Sequence, residues 1–172
     1  MKDISYRKMK TNQKLRRSFN KKYENVLKAA KEGEQRCLNG NRWRGNAILM
    51  VIDAALDSIV LNYFKIVVPR VKMFFEKYVK SGQVRYFSDF LEHYPKKSQL
   101  MKIMNNERVW RVALEICRNL NAIKEKRQIT SDFAALRFWA QTANYYRWKS
   151  DVIGRIYGVG LITFQYLRTS WR

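Results

Sequence analysis

The chain has 172 residues, with 35 Lys+Arg against 14 Asp+Glu and a formal net charge of +21. Its composition is 47% hydrophobic and 14% aromatic, with 7 Gly and 2 Pro, which excludes a wholly disordered basic chain and the collagen-like, mucin-like and low-complexity classes. The length suits one domain with a tail, and an excess of positive charge this large calls for a polyanion, nucleic acid ahead of an anionic membrane surface.

The excess is concentrated at the start. Residues 1–46 carry 14 Lys+Arg and 4 Asp+Glu, against 15 and 8 in residues 47–127 and 6 and 2 in residues 128–172. Residues 1–46 read as a basic N-terminal arm, with Lys14, Arg16, Arg17, Lys21 and Lys22 as candidate phosphate contacts. Polybasic segments of this kind order on a polyanion. A helix from Phe19 to Arg36, packed by Tyr23, Val26, Leu27 and Ala30, is the alternative for the later part. No apolar stretch follows the basic start, so no secretory signal is expected. Cys37 and Cys117 match neither a metal-ligand spacing nor a disulfide framework, and read as small apolar groups in a reducing cytoplasm.

From residue 47 the chain reads as an all-α domain over 47–172, helix after helix. Apolar residues at helical spacing (Ile48, Val51/Ile52, Ala55, Ile59, Asn62/Tyr63) predict a helix over Ala47–Lys65. Asp53 and Asp57 make it a buried helix rather than a membrane span. Pro69 should interrupt it, leaving a short helix over Val71–Lys80. Ser88-Asp89 reads as a cap for a helix ended by Pro95, and Ser98–Met104 as another short helix. Behind Asn105/Asn106 comes a strong amphipathic helix, with Val109, Val112/Ala113, Ile116/Cys117, Leu120 and Ile123 on one face. Arg108, Arg111, Glu115 and Arg118 form its outer face. A further helix restarts behind Thr130, Ser131 or Asp132, with Leu136, Trp139/Ala140, Ala143 and Tyr146 inward.

Motifs for enzyme chemistry are missing. His93 is the only histidine and reads as a helix-end residue. There is no HExxH, CxxC pair, Walker loop or GxSxG. Asp53 and Asp57 lie four apart on one helix face, a spacing that suits paired carboxylates and equally suits neutralisation of neighbouring arginines.

One motif carries mechanism. In SDVIGRIYGVGLITFQYLR, over residues 150–168, the core Ile156-Tyr157-Gly158-Val159-Gly160 reads as a hairpin between two short helices. Ser150 or Asp151 would cap the first, and Leu161–Arg168 would form the second. Gly158 and Gly160 allow positive φ and leave no Cβ in the path of a phosphate. Ile156 and Val159 would plug the hairpin into the core. Free amides at the start of the second helix, Thr163 in its first turn, would then meet an anion along the helix dipole. Arg155, Lys149 and Arg168 add charge nearby. Trp43, Tyr145, Tyr146, Trp148 and Trp171 read as core or rim residues, with stacking on exposed bases as the alternative.

This string resembles a helix-hairpin-helix motif. With VPRVKMF and VWRVALEI, the stretch from about Ile52 to Arg168 is similar to the helix-hairpin-helix DNA glycosylase superfamily, including its endonuclease III-like members. The resemblance implies a glycosylase-like helical domain whose hairpin amides, around Gly158, Val159 and Gly160, grip a phosphate. It also implies a possible structural K+ or Na+ held by the carbonyls of Gly154, Ile156 and Val159, and no other cofactor. The chain departs from the family where the chemistry lies. Ile162 stands where bifunctional members carry a Lys; the family's catalytic Asp lies about twenty residues past the hairpin, whereas this sequence stops at Arg172 and residues 152–172 hold no Asp or Glu. No iron–sulfur cysteine cluster follows. The reading is therefore a non-catalytic, largely sequence-independent nucleic-acid-binding protein of the cytoplasm, associated with nucleoid or ribosome. A ribosomal or ribonucleoprotein component binding rRNA is the first alternative. A divergent glycosylase or lyase, with Asp53, Asp57 or Asp151 replacing the missing acid, is the second.

Overall fold

Helix α1 (Ala47–Asp57) is apolar except at Asp53 and at its last residue, Asp57, and it is buried from Ala47 to Leu56. A helix with so little polar surface belongs at the centre of a fold. The computed structural model describes residues 42–59 and 61–170, together with Glu24. The arm contacts expected at Lys14, Arg16, Arg17, Lys21 and Lys22, with Cys37 and Trp171, lie outside the described residues.

Around α1 the described residues form α2 (Val68–Phe74), α3 (Phe87–Glu92), α4 (Lys97–Ile103), α5 (Glu107–Lys126), α6 (Asp132–Thr142) and α7 (Leu161–Thr169), and no strand occurs among them. The long α5 packs against α1, α3 and α6, while α1 also contacts α2 and α7. The inner face of α5 is the expected one, with Val109, Val112, Ala113, Ile116, Cys117 and Leu120 buried. Asn106 caps it by accepting the Val109 N–H at 3.4 Å. No helix among the described residues is long and apolar enough to cross a membrane.

Four expectations change. The predicted helix over Ala47–Lys65 breaks after Asp57, because the Ser58 hydroxyl bonds the Ala55 carbonyl and Asn62 becomes an N-cap that accepts the Lys65 N–H at 2.9 Å. Pro69 interrupts nothing. It sits at the start of α2, behind a π-helical turn over Tyr63–Val67, where the wide i→i+5 bonding displaces the carbonyl that a proline ring would strike. A second π-helical turn, Phe75–Val79, closes this helical stretch. Tyr146 points outward, 91% exposed, because α6 stops at Thr142 and the 3-10 turn Tyr145–Ser150 follows a different periodicity. The cap before α3 also moves: Asp89 sits at its third position and accepts from the Arg85 and Tyr86 amides.

Residues 42–46, which charge alone assigns to the arm, are tied into the helical body. Arg42–Gly45 form a tight left-handed turn, with Trp43 at φ 48, Arg44 at φ 54 and Gly45 at φ 74. That conformation costs a non-glycine residue about 1–2 kcal/mol. It is held by Asp53. The Trp43 indole N–H donates to Asp53 Oδ2 at 2.6 Å, and the Arg42 guanidinium lies 3.3 Å from the same oxygen. Tyr63 and Tyr166 complete the cluster, donating their hydroxyls to Oδ2 at 3.1 and 2.6 Å. Arg42 also lies over the Tyr166 ring, 3.8 Å from its centroid.

Candidate nucleic-acid interface

Between α6 and α7 the chain turns back before α7, and where a first short helix was expected residues 151–158 form only bends and turns. Asp151 does not cap a regular helix. Its carboxylate accepts the Trp139 indole N–H at 2.9 Å and the Ile153 N–H at 2.8 Å. A single helical turn follows, closed by Arg155 N–H to the Asp151 carbonyl at 3.0 Å. The chain then reverses at Gly158, whose φ of 107 disfavours any side chain. A Cβ there would also lie 2.9 Å from both Arg108 Nε and Val112 Cγ2 of α5. Val159 is buried, as expected of a plug, and Ile156 packs against the same core. Gly154 is the tightest glycine: an added Cβ would stand 1.8 Å from the Trp148 carbonyl oxygen.

Gly160 differs from the expectation. Its φ is −97, so no left-handed conformation is required, and a Cβ would meet nothing within 4 Å. It is the N-cap of α7 and has no side chain to offer a cap bond. The first intrahelical bond runs from the Phe164 N–H to the Gly160 carbonyl at 2.9 Å. The amides of Leu161, Ile162 and Thr163 therefore have no acceptor within their own helix. Ile162, in that first turn, is 73% exposed, whereas the Thr163 side chain is buried, so that residue can offer only its amide.

The basic residues separate into two groups. Arg155 and Lys149 are exposed at the hairpin, with Lys149 5.8 Å from the Trp148 ring centroid. Arg168 turns back on the body, bonding the Gln165 side chain at 3.0 Å and the Ala143 carbonyl at 3.4 Å. Sequence reasoning missed what α5 contributes. Its outer face comes against the hairpin, where Arg108 donates to the Gly158 carbonyl at 3.3 Å and Arg111 stands 5.1 Å from the Tyr157 ring centroid. Between them lies a groove of about 630 Å³ lined by Arg111, Glu115, Arg118, Asn119, Ala122, Val152, Arg155, Ile156 and Tyr157. Glu115 is paired with Arg118 within the helix. The i, i+3 spacing of Arg108 and Arg111 was visible in sequence, but the hairpin that faces them lies 50 residues away.

The Ile156 carbonyl already accepts the Val159 N–H at 2.9 Å, so a cation on the carbonyls of Gly154, Ile156 and Val159 would have to share it. No group of three or more His, Cys, Asp or Glu suited to a metal occurs among the described residues. His93 is the exposed C-cap of α3. Asp53 is enclosed, its pKa raised from 3.8 to about 6 by burial against the pull of Arg42, while Asp57 is raised in the same direction by partial burial. Cys117 is wholly buried and its thiol pushed up by desolvation, an inert core group.

Of the aromatics considered for stacking, Trp43 is held on Asp53 and Trp148 leans on Phe164. Tyr145 and Tyr146 form an exposed edge-to-face pair. Comparison with protein families, curated proteins and solved structures finds no match to the chain.

Proposed function

We propose that the chain is a non-catalytic nucleic-acid-binding protein, a glycosylase-like helical domain that grips phosphate backbone through its helix-hairpin-helix. The observation carrying this reading is the bare start of α7. Gly160 leaves open space where a Cβ would stand, and the amides of the first turn have no acceptor within the helix. A phosphate satisfies such amides and lies along the helix dipole. Arg155 and Lys149 are exposed on the chain leading into α7, and Arg108 fixes the hairpin to α5. Contacts of this kind position a polyanion without reading bases, so affinity should fall steeply with salt and little with sequence.

The non-catalytic part of the reading is supported by where two of the three candidate carboxylates lie. Asp53 is enclosed among aromatic rings and Arg42, and Asp151 is engaged by Trp139 and the Ile153 amide. Neither stands ready to stabilise a cationic sugar. A second reading, an rRNA-binding component of a ribonucleoprotein, is favoured by the 14 Lys and Arg of residues 1–46. Residence in the cytoplasm, on nucleoid or ribosome, goes with either partner.

Gly160→Val tests the grip. Its backbone suits valine and the site is open, so the variant should fold, with the loss of about 1 kcal/mol that a valine N-cap costs. It should bind duplex DNA and RNA about 10-fold more weakly, the worth of roughly one charge-assisted hydrogen bond. Unchanged affinity in a titration by fluorescence anisotropy would reduce the hairpin to a packing turn.

A further inference from the structure

We infer that the groove between α5 and the hairpin seats one unpaired nucleotide of a DNA or RNA strand, with its base stacked on Tyr157 and its phosphates held by Arg111 and Arg155. The inference rests on the nucleic-acid reading above and names what the protein prefers among polynucleotides.

Tyr157 is 79% exposed at the tip of the hairpin, an unusual place for a large ring to be left in water. Arg111 backs the ring at 5.1 Å, which limits its movement and leaves most of its surface open. An aromatic side chain presented in this way is a stacking platform, and stacking is tolerant of sequence because every base has a π-face.

The cations are arranged for a strand rather than for a lone anion. Arg155 is exposed, and its guanidinium has no hydrogen-bond, ion-pair or ring partner among the described residues. Arg111 approaches the same groove from α5, while Arg118 is neutralised by Glu115. Arg111 from α5 and Arg155 from the hairpin match the phosphates on either side of one nucleoside. The floor between them includes Val152 and Ile156, apolar surface suited to a base or sugar. Asn119 also faces the groove. Its amide nitrogen is engaged by the Glu115 carbonyl at 2.8 Å, which leaves its oxygen to accept from a base amino group.

Stacking selects the unpaired state. A groove of about 630 Å³, open to solvent, lies within the range of roughly 300–1,000 Å³ typical of small-ligand clefts, enough for one nucleotide. A base inside an intact duplex has both faces covered by its neighbours, so Tyr157 can stack only where a base is extruded, bulged or single-stranded.

The test compares duplexes of one sequence, intact or with one bulged nucleotide, in DNA and RNA versions, by fluorescence anisotropy. Wild type should bind the bulged duplex about 5- to 10-fold more tightly than the intact one. Tyr157→Ala should abolish that preference while leaving intact-duplex affinity within about twofold, and Tyr157→Trp should keep it. A preference confined to the DNA or the RNA pair supports the inference and identifies the strand. Wild type that binds both forms equally, or Tyr157→Ala that weakens both equally, overturns the inference and leaves the phosphate-gripping reading intact. Binding to neither form overturns both.

Discussion

Burying Asp53 in a mostly apolar helix gives its two oxygens very different surroundings. Oδ2 collects three donors and the Arg42 guanidinium, while Oδ1 is buried with no hydrogen-bond partner among the described residues. Desolvation outweighs Arg42, so the carboxyl titrates near 6 in the fold against 3.8 ordinarily. The folded state therefore holds its proton more tightly than the unfolded state. This group favours folding fully below 3.8 and loses that contribution as pH rises through about 6. The whole loss amounts to about 3 kcal/mol, at 1.36 kcal/mol per unit. Asp53→Asn keeps an acceptor for Trp43 and the tyrosines but cannot ionise. Thermal melts from pH 4.5 to 7.5, which span most of that window, should show wild type losing roughly 2 kcal/mol relative to the variant. Parallel curves would mean that Asp53 ionises in the fold as it does in water. The sequence marked Asp53 as a candidate and could not separate catalysis from charge neutralisation. Its enclosure by Tyr63 and Tyr166 was not legible either, because Tyr166 lies 113 residues away.

At the scale of elements, glycines with the same letter do different work. Gly154 has no alternative: the Trp148 carbonyl occupies the space of its Cβ. Gly154→Ala should destabilise the fold by about 3 kcal/mol, at the upper end of overpacking costs, whereas Gly160→Ala should cost under about 1 kcal/mol. Urea denaturation distinguishes them, and equal midpoints would show that the turn before the hairpin yields freely. Sequence singled out Gly158 and Gly160 for their string and passed over Gly154 as a packing residue. Helix α5 was legible nearly to the residue, because twenty residues of strong amphipathic pattern and an Asn cap agree with one another. The break at 58–62 was not, because Asn62 occupies a position that helical spacing also allows. Pro69 misled for a related reason: a π-helical turn is a property of bonding in space and has no sequence signature of its own.

For the whole molecule, the distribution of charge sets the experiment. Residues 1–18 hold seven Lys and Arg, and the helical body carries its own basic groove and hairpin. If both touch phosphate, deleting residues 1–18 lowers the slope of log K against log salt by about 0.9 for each duplex phosphate that the arm neutralises. The Gly160→Val change should reduce affinity while altering that slope much less. An unaltered slope in the deletion would remove the arm from the interface. The hairpin was legible as a local string. Its partner surface on α5 was not, because the approach of residue 108 to residue 158 is a fact of the tertiary fold.

Trp43 lies on a carboxylate that the body encloses, with its indole N–H 2.6 Å from Asp53. Indole emission responds to a neighbouring charge, so one of the five tryptophans is a fluorophore set on a buried titrating group. Because Trp43 and Arg42 share one left-handed turn, the part of the emission that Trp43→Phe removes reports release of the turn, while circular dichroism follows the helices. Watching both at once separates the loosening of the body's edge from the melting of its centre, with no dye attached.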